Sequence, residues 1–435
     1  MRAVIVYYPG ELTKMKSYRL IVLASVILLA ACVVGGAAEK ELIAVLRSEA
    51  GAVEKCAACQ QLRIYGTAES VEALAAMLDV KRVGHAARYA LEGMPYAEAG
   101  AALRDALSRT SGPTKMGVVD SLGRRGDKAA IALLVPLLSG ADAKMAAAAA
   151  SALGQIGGEK SVAALVAARA KASGEVKVAV LEALLDCADD RLNAGDSAGA
   201  AKLYRDVMTD GVEDRIRVAA WHGLVLADET ERPGLIVKAL RGEDEDLRVA
   251  ALSAIREVPD KKTIEVCVRR WDSLSAMGQL AVLDAHVRLG DAPGTIRLAG
   301  GSENIAVRVA AWKALADVGD ASLIPRLVRA AASGQDIEKD AAADALARMS
   351  GDAVSAALLA HLKQAPVAEK VVVLTALGAR GEDVAVNVLL ENAKRGDGQA
   401  RSAALRALRG VAAPESVMPL LDITANSESE SERRE

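Results

Sequence analysis

The sharpest motif that could carry chemistry is the pair Cys56-Ala57-Ala58-Cys59. Two thiols at this spacing form a redox centre when they follow a strand at a helix N-terminus, because the helix dipole lowers the pKa of one thiol. Here the pair lies inside a predicted helix with no strand before it. Covalent haem attachment requires a His after the second Cys, and Gln60 stands there.

A zinc site at this pair is excluded by the positions of the other thiols. Cys187 and Cys267 lie far outside the usual spacing of zinc ligands, and neither neighbouring helix contains a His. We therefore interpret Cys56 and Cys59 as small core residues. A labile disulfide between them is the alternative that an exported location leaves open.

Histidine is scarce in the sequence, which limits metal chemistry further. A di-metal centre on helices needs imidazole and carboxylate groups together, and none of the four histidines precedes a Glu. We expect no catalytic residue, no metal site and no cofactor, and we expect each histidine to be solvated or at the edge of the core. The four are His85, His222, His286 and His361.

An internal repeat defines the elements that position these residues. A six-residue signature, Ala-Leu-x-x-apolar-Gly, recurs along the chain, and nine of the eleven intervals between its last residues are 29 or 31 residues long. Such regularity predicts an array of similar structural units. The last residues of the signature are Gly66, Pro95, Gly126, Gly157, Ala188, Ala227, Pro259, Gly290, Gly319, Ser350, Gly381 and Ala412.

Each repeat reads as a helical hairpin with a first and a second helix. Apolar residues recur at helical spacing from Ile305 to Leu315, Gly319 then supplies the positive φ of a helix C-cap, and a second helix follows from Ser322 to Ala330. Hydrophobic residues make up 52% of the chain, yet Phe is absent, so Ala, Leu and Val must form the core. We predict an all-α fold, a solenoid of about twelve stacked hairpins over residues 41–425.

Segments such as Asp246–Ala251 and Ile305–Gly319 resemble the HEAT-like repeat named for phycobilisome lyases. Residues 58–67 and 87–92 are similar to the opening repeats of large exported bacterial HEAT-repeat proteins. The resemblance covers about residues 45–422 and implies an α-solenoid.

The HEAT enzyme that hydroxylates deoxyhypusine uses repeated His-Glu pairs, which this sequence lacks. A bilin lyase needs a pocket for a tetrapyrrole, and a chain with 2% aromatic residues does not indicate one.

Residues 1–40 have the layout of a leader rather than of a repeat. A basic segment up to Arg19 precedes an apolar run from Leu20 to Ala31, and Cys32 follows at the end of a lipobox-like Leu-Ala-Ala-Cys. We predict that Cys32 is a lipid anchor. Cleavage before Glu39 and an uncleaved membrane anchor are the alternatives, and translation can also begin at Met15. In each case the rest of the chain lies outside the cytoplasm.

Two further segments depart from the repeat. The interval of 39 residues marks an insertion at Asp189–Asp196, which we expect to extend an inter-helix turn. Residues 426–435 alternate Ser and Glu before two arginines and predict a disordered polar tail.

The balance of charge excludes nucleic acid as a partner. Lys and Arg total 54 against 57 Asp and Glu, so no basic field covers the chain. Basic residues recur near the ends of second helices, and acidic residues recur at the next helix starts, where each sign complements a helix dipole. A groove lined by the basic residues for an acidic partner is the alternative. The basic set is Arg205, Lys238, Arg241, Arg269, Arg270, Arg329, Lys363, Lys394 and Arg395, and the acidic set is Glu213, Asp214, Glu243, Asp244, Glu303, Asp336 and Glu369.

Together these features predict a non-catalytic scaffold that mediates protein–protein interaction at or near a bacterial cell envelope. The protein would be a periplasmic protein or a membrane-anchored lipoprotein, with membrane contact through the leader. A sensor or assembly factor at the envelope differs from this scaffold only in its partner. The alternative class is a HEAT-repeat enzyme or cofactor-handling, bilin-lyase-like protein that uses Cys56 and Cys59.

Overall fold

The computed structural model describes residues 38–208, 213–290, 292–411 and 414–426. Within these ranges the regular elements are α-helices and short 3₁₀ turns, and no strand occurs. Asn426 is the only residue of the predicted polar tail that is described, and the leader up to residue 37, with Cys32, also lies outside. The predicted all-α fold is confirmed.

The chain forms two compact units, which meet in sequence after Ala227. In unit 1 the first helix, α1, includes residues 38–40, so the described fold begins just before the predicted boundary. The helices of unit 1 are α1 (38–47), α2 (Ala52–Tyr65), α3 (Val71–Ala76), α4 (Gly84–Gly93), α5 (Ala97–Arg109), α6 (Gly112–Arg124), α7 (Ile131–Leu134), α8 (Ala143–Ile156), α9 (Gly158–Arg169), α10 (Gly174–Asn193), α11 (Ser197–Met208) and α12 (Asp214–Ala227). A 3₁₀ turn over Val135–Ser139 extends α7.

Unit 2 begins at Asp228 and repeats the same pattern. Its helices are α13 (Arg232–Arg241), α14 (Glu245–Glu257), α15 (Lys261–Val268), α16 (Ala276–Arg288), α17 (Pro293–Ala299), α18 (Ile305–Val318), α19 (Ile324–Ser333), α20 (Asp336–Arg348), α21 (Asp352–Leu362), α22 (Val367–Arg380), α23 (Asp383–Arg395), α24 (Gly398–Val411) and α25 (Val417–Ala425). Paired in chain order within each unit, α2–α11 give five hairpins and α14–α25 give six, with α12 at the end of unit 1 and α13 at the start of unit 2.

First helices pack on first helices within each unit. In unit 1, α6 contacts α8 and α8 contacts α10; in unit 2, α18 contacts α20 and α22 contacts α24. Second helices pack in the same way, for example α13 on α15 and α23 on α25. The buried side chains are mostly Ala, Leu and Val. Because each hairpin completes its core with its neighbours, each unit is a stack of hairpins, which confirms the predicted solenoid architecture.

Small residues at the third position before the signature glycine bring first helices close together. A Cβ atom at Gly154 of α8 would lie 2.9 Å from the Cα atom of Ala183 in α10. A Cβ atom at Gly378 of α22 would lie 2.5 Å from the Cβ atom of Ala407 in α24. Such contacts leave no room for a side chain, so these two glycines are required by packing.

The signature glycines end first helices as predicted at most positions. Gly157 and Gly319 are C-caps with φ of 63° and 69°, and each donates its N–H to a carbonyl oxygen of the last helical turn. Asp142 begins α8 by accepting hydrogen bonds from the N–H groups of the first turn. Gly66 differs, because its backbone is extended with φ of −68°.

The insertion at Asp189–Asp196 lengthens a helix, so the prediction of a longer inter-helix turn was wrong. Helix α10 runs for 20 residues and passes Ala188, where other repeats end their first helix. No Gly or Pro occurs between Gly174 and Gly195, and therefore nothing stops the helix at the usual place. The turn to α11 comprises only residues 194–196.

Arg125, the residue before the signature glycine Gly126, links its hairpin to the preceding one. Its Nη1 atom donates to the main-chain oxygens of Leu91 at 2.6 Å and Glu92 at 3.0 Å, and its Nη2 atom donates to that of Tyr96 at 3.1 Å. These carbonyls belong to the end of α4 and the turn that follows it. The guanidinium therefore replaces the partners that a helix C-terminus lacks.

Arg380 holds the same place in the signature and makes an equivalent link in unit 2. It donates to the main-chain oxygen of Met349, at the end of α20, and to Ser355 Oγ at 3.2 Å. Both preceding hairpins lack the signature glycine, since Pro95 and Ser350 stand in its place. An arginine of the next hairpin thus satisfies helix ends that no glycine cap closes.

Candidate interaction surface

The Cys56–Cys59 pair lies in α2, as predicted, and both residues are free thiols. Cys59 is fully buried, and burial together with the neighbouring Cys56 raises the pKa of its thiol to about 12. Cys56 is half-buried rather than buried, and its Sγ atom donates to the main-chain oxygen of Arg82 at 3.3 Å. A thiol with a raised pKa is a poor nucleophile and a poor metal ligand at neutral pH.

The other two cysteines of the described ranges, Cys187 and Cys267, are also buried thiols. Burial, with a smaller effect of Asp190 and Asp186, raises the pKa of Cys187 to about 12. Burial and then Asp260 raise the pKa of Cys267 to about 12. No group of three or more His, Cys, Asp or Glu in the described part of the chain could hold a metal ion.

The four histidines do not come together. His286 is buried, deeper than predicted, and its Nδ1 atom lies 2.6 Å from Thr295 Oγ1. His361 is half-buried and its Nε2 atom lies 2.7 Å from Glu369 Oε2. His222 is half-buried and His85 is exposed.

The residues of the basic set and the acidic set lie at or near helix ends, as predicted. Lys238 and Arg241 occupy the last turn of α13, and Asp244 caps the start of α14 by accepting a hydrogen bond from the N–H of Leu247 at 3.1 Å. Asp336 is likewise the first residue of α20. Each charge therefore interacts favourably with the dipole of its own helix.

An acidic depression of about 500 Å³ lies at the carboxyl ends of α6, α8 and α10. Asp186, Asp189 and Asp190 line it from the last turns of α10, and burial, followed by the carboxylates of Asp189 and Asp190, raises the pKa of Asp186. Asp189 accepts a hydrogen bond from the hydroxyl of Tyr204, which occupies one of its oxygens. The depression presents negative charge but no group that selects a ligand.

A groove of about 670 Å³ runs between α22 and α24 in unit 2. Its lining combines small residues with polar ones, among them Thr375, Gln399, Ser402 and Arg406. Because the two helices approach closely at Gly378, the groove is open and shallow rather than enclosed.

A third groove lies mainly on the second helices of unit 1. This unit 1 groove, about 500 Å³ in volume, separates the 3₁₀ turn after α7 from α9 and the start of α10. Lys171 is its only charged lining residue, and the exposed side chains of Leu133 and Val166 lie on the helices beside it. The lining residues are Val135, Leu138, Ser139, Gly140, Ala164, Ala167, Ala168, Lys171, Ala172, Ser173 and Val176.

The sequence did not predict this groove, because six of its eleven lining residues are Ala or Val, which also fill the core elsewhere. A weak signal was present. Val135-Pro136 places a proline within the second helix of this repeat, and the structure forms a 3₁₀ turn there rather than a continued α-helix. Val135, Leu138 and Ser139 of this turn line the groove opposite α9.

Among the described residues, no helix combines the length and the apolar character that crossing a membrane requires.

Residues 100–185 match the family model for HEAT repeats. No curated protein sequence matches the chain. Several solved structures are similar. Kap95p bound to RanGDP is 12% identical with a TM-score of 0.44, and the match covers 89% of this chain and 62% of Kap95p. Kap121p bound to Nup53p is 11% identical with a TM-score of 0.40, over 90% of this chain.

The chain spans 55% of the length of Kap121p. Human deoxyhypusine hydroxylase is 18% identical with a TM-score of 0.27, over 72% of this chain and 96% of the hydroxylase. Residues 100–185, from α5 into α10, are therefore the part of the chain that a HEAT-repeat family describes.

Proposed function

We propose that this protein is a non-catalytic HEAT-repeat scaffold that binds a protein partner through the unit 1 groove, at or near a bacterial cell envelope. The observation that carries the proposal is the groove itself, an open and mostly apolar surface whose lining contains a single charged residue, Lys171. Open apolar surfaces of this kind receive the apolar face of a partner helix or segment.

The lining residues define the partner's chemistry. Ala164, Ala167 and Ala168 are short, so the larger side chains of the interface must come from the partner. Lys171 would pair with an acidic residue at the rim of the contact. We infer a partner segment with bulky aliphatic or aromatic side chains along one face and an acidic residue beside them.

The non-catalytic part of the proposal is supported by the state of the reactive groups. The thiols of Cys59, Cys187 and Cys267 have raised pKa values. His286 and His361 are already engaged with Thr295 and Glu369. The envelope location depends on the predicted leader and on Cys32, which lie outside the described residues. The phycobilisome-lyase-type repeat likewise remains a prediction.

A charge placed in the groove tests the proposal. Ala167 lines the groove and is exposed, so Ala167→Glu should fold normally and lower recovery of the native partner about tenfold or more in pull-downs from envelope fractions, because the carboxylate loses hydration on binding. Ala163→Glu is the matched control, since Ala163 is exposed on the same helix but does not line the groove. Equal recovery with both variants would contradict binding at this groove.

A further inference from the structure

Of the large apolar side chains in the described part of unit 1, the most exposed are concentrated on α2. Five large hydrophobic side chains in the described ranges are exposed by 65% or more, and three of them are Val53, Ile64 and Tyr65. Val53, Ala57 and Ile64 recur at helical spacing on one side of α2, with the exposed Gln60 between Ala57 and Ile64, and Tyr65 adjoins them at the end of the helix. Val53, Ala57, Ile64 and Tyr65 are called the α2 face. The opposite side of the helix, with Cys59 and Leu62, is buried.

The α2 face adjoins the point where the leader enters the fold. Glu39, in the first turn of α1, accepts hydrogen bonds from the N–H of Thr67 at 2.6 Å and from its hydroxyl at 3.0 Å. Thr67 is the second residue after α2, so the start of α1 is held at the carboxyl end of α2, where Ile64 and Tyr65 lie. Only residues 33–37 separate Cys32 from α1. A link of this length reaches about 20 Å when extended.

We propose that the α2 face rests on a lipid surface when the chain is anchored at Cys32. This inference rests on the proposed envelope location. The short link holds the face within reach of the bilayer, so a weak contact is sufficient because its effective concentration is high. Ile64 and Val53 would enter the boundary between headgroups and acyl chains, and Tyr65 would lie at the headgroup level, as interfacial tyrosines do.

The charges around the face indicate what drives the contact. Lys40 and Arg63 are exposed near it, and so are Glu41 and Glu54. Two positive and two negative side chains give no net attraction to an anionic membrane. Burial of apolar area therefore drives the contact, and we expect it to be insensitive to salt.

Photolabelling from the bilayer tests this inference. The lipidated full chain is placed on vesicles of phosphatidylethanolamine and phosphatidylglycerol that contain a diazirine-bearing phosphatidylcholine. Peptides from α2 should carry the label, and Ile64→Glu should reduce that labelling about tenfold, because a carboxylate opposes entry into the interface. Ile337→Glu is the control, since Ile337 of α20 is 68% exposed.

The outcomes separate the lipid contact of the α2 face from the lipid anchor at Cys32. Flotation with the vesicles, without labelling of α2 above that of α20, overturns the lipid contact and leaves the anchor intact. A chain that does not float contradicts both the anchor and the contact.

Discussion

Replacing Arg125 by Ala should lower the free energy of unfolding of unit 1 by about 3 kcal/mol, because carbonyl groups at the end of α4 lose their donors. Leu91, Glu92 and Tyr96 all accept from this one guanidinium. Urea unfolding followed by circular dichroism measures the change. Lys at this position should restore only part of the loss, because an ammonium group cannot reproduce the planar fork of donors.

The neighbouring arginine is the control. Arg124 is exposed, and its contacts are with Asp120 at 3.3 Å and Glu92 at 3.9 Å. Exposed ion pairs contribute little, so Arg124→Ala should change the free energy of unfolding by less than about 1 kcal/mol. If the two alanine variants lose similar stability, the link between hairpins does not stabilise the stack.

Replacing Gly378 by Leu should destabilise unit 2 by about 3 kcal/mol or more, because first helices α22 and α24 would have to separate. Even the first carbon of the new side chain would lie 2.8 Å from the Cα atom of Ala407. Thermal unfolding followed by circular dichroism measures the effect. The midpoint should fall by several degrees.

Gly234→Leu provides the comparison, because Gly234 lies in helix α13 of the same unit and has open space around it. Leu has a higher helix propensity than Gly, so this change should stabilise unit 2 by up to about 1 kcal/mol. If Gly378→Leu lowers the stability of unit 2 and Gly234→Leu raises it, the loss at Gly378 is caused by packing. A stabilising Gly378→Leu would contradict the close approach of the two helices.

The repeat made the architecture predictable from the sequence. Regular spacing located the hairpins, and the glycines at 157 and 319 marked helix ends that the structure confirms. The same reasoning was wrong at Asp189–Asp196, because an insertion without Gly or Pro continues a helix as readily as it lengthens a turn. The Cys56–Cys59 pair was placed on its helix correctly, but the half-buried position of Cys56 depends on neighbours that are distant in sequence.

Links between hairpins were not predicted, although a signal existed. Arg125 and Arg380 occupy one signature position, and the hairpins before them carry Pro95 and Ser350 instead of glycine. The period of the repeat does not show which carbonyl groups an arginine reaches, because that depends on the angle and distance between neighbouring helices. The unit 1 groove was missed for a similar reason. Ala167 reads as core in the sequence and is exposed in the structure.

The central claim, that a protein partner binds the unit 1 groove, is tested most directly by hydrogen exchange. Backbone exchange is compared for the chain alone and for its complex with the partner recovered from envelope fractions. We expect slower exchange over residues 135–140 and 164–176, which line the groove, and unchanged exchange over α22 and α24. Slower exchange in the groove between α22 and α24 instead would contradict the claim. Unchanged exchange over residues 135–140 and 164–176 in a stable complex would also contradict it.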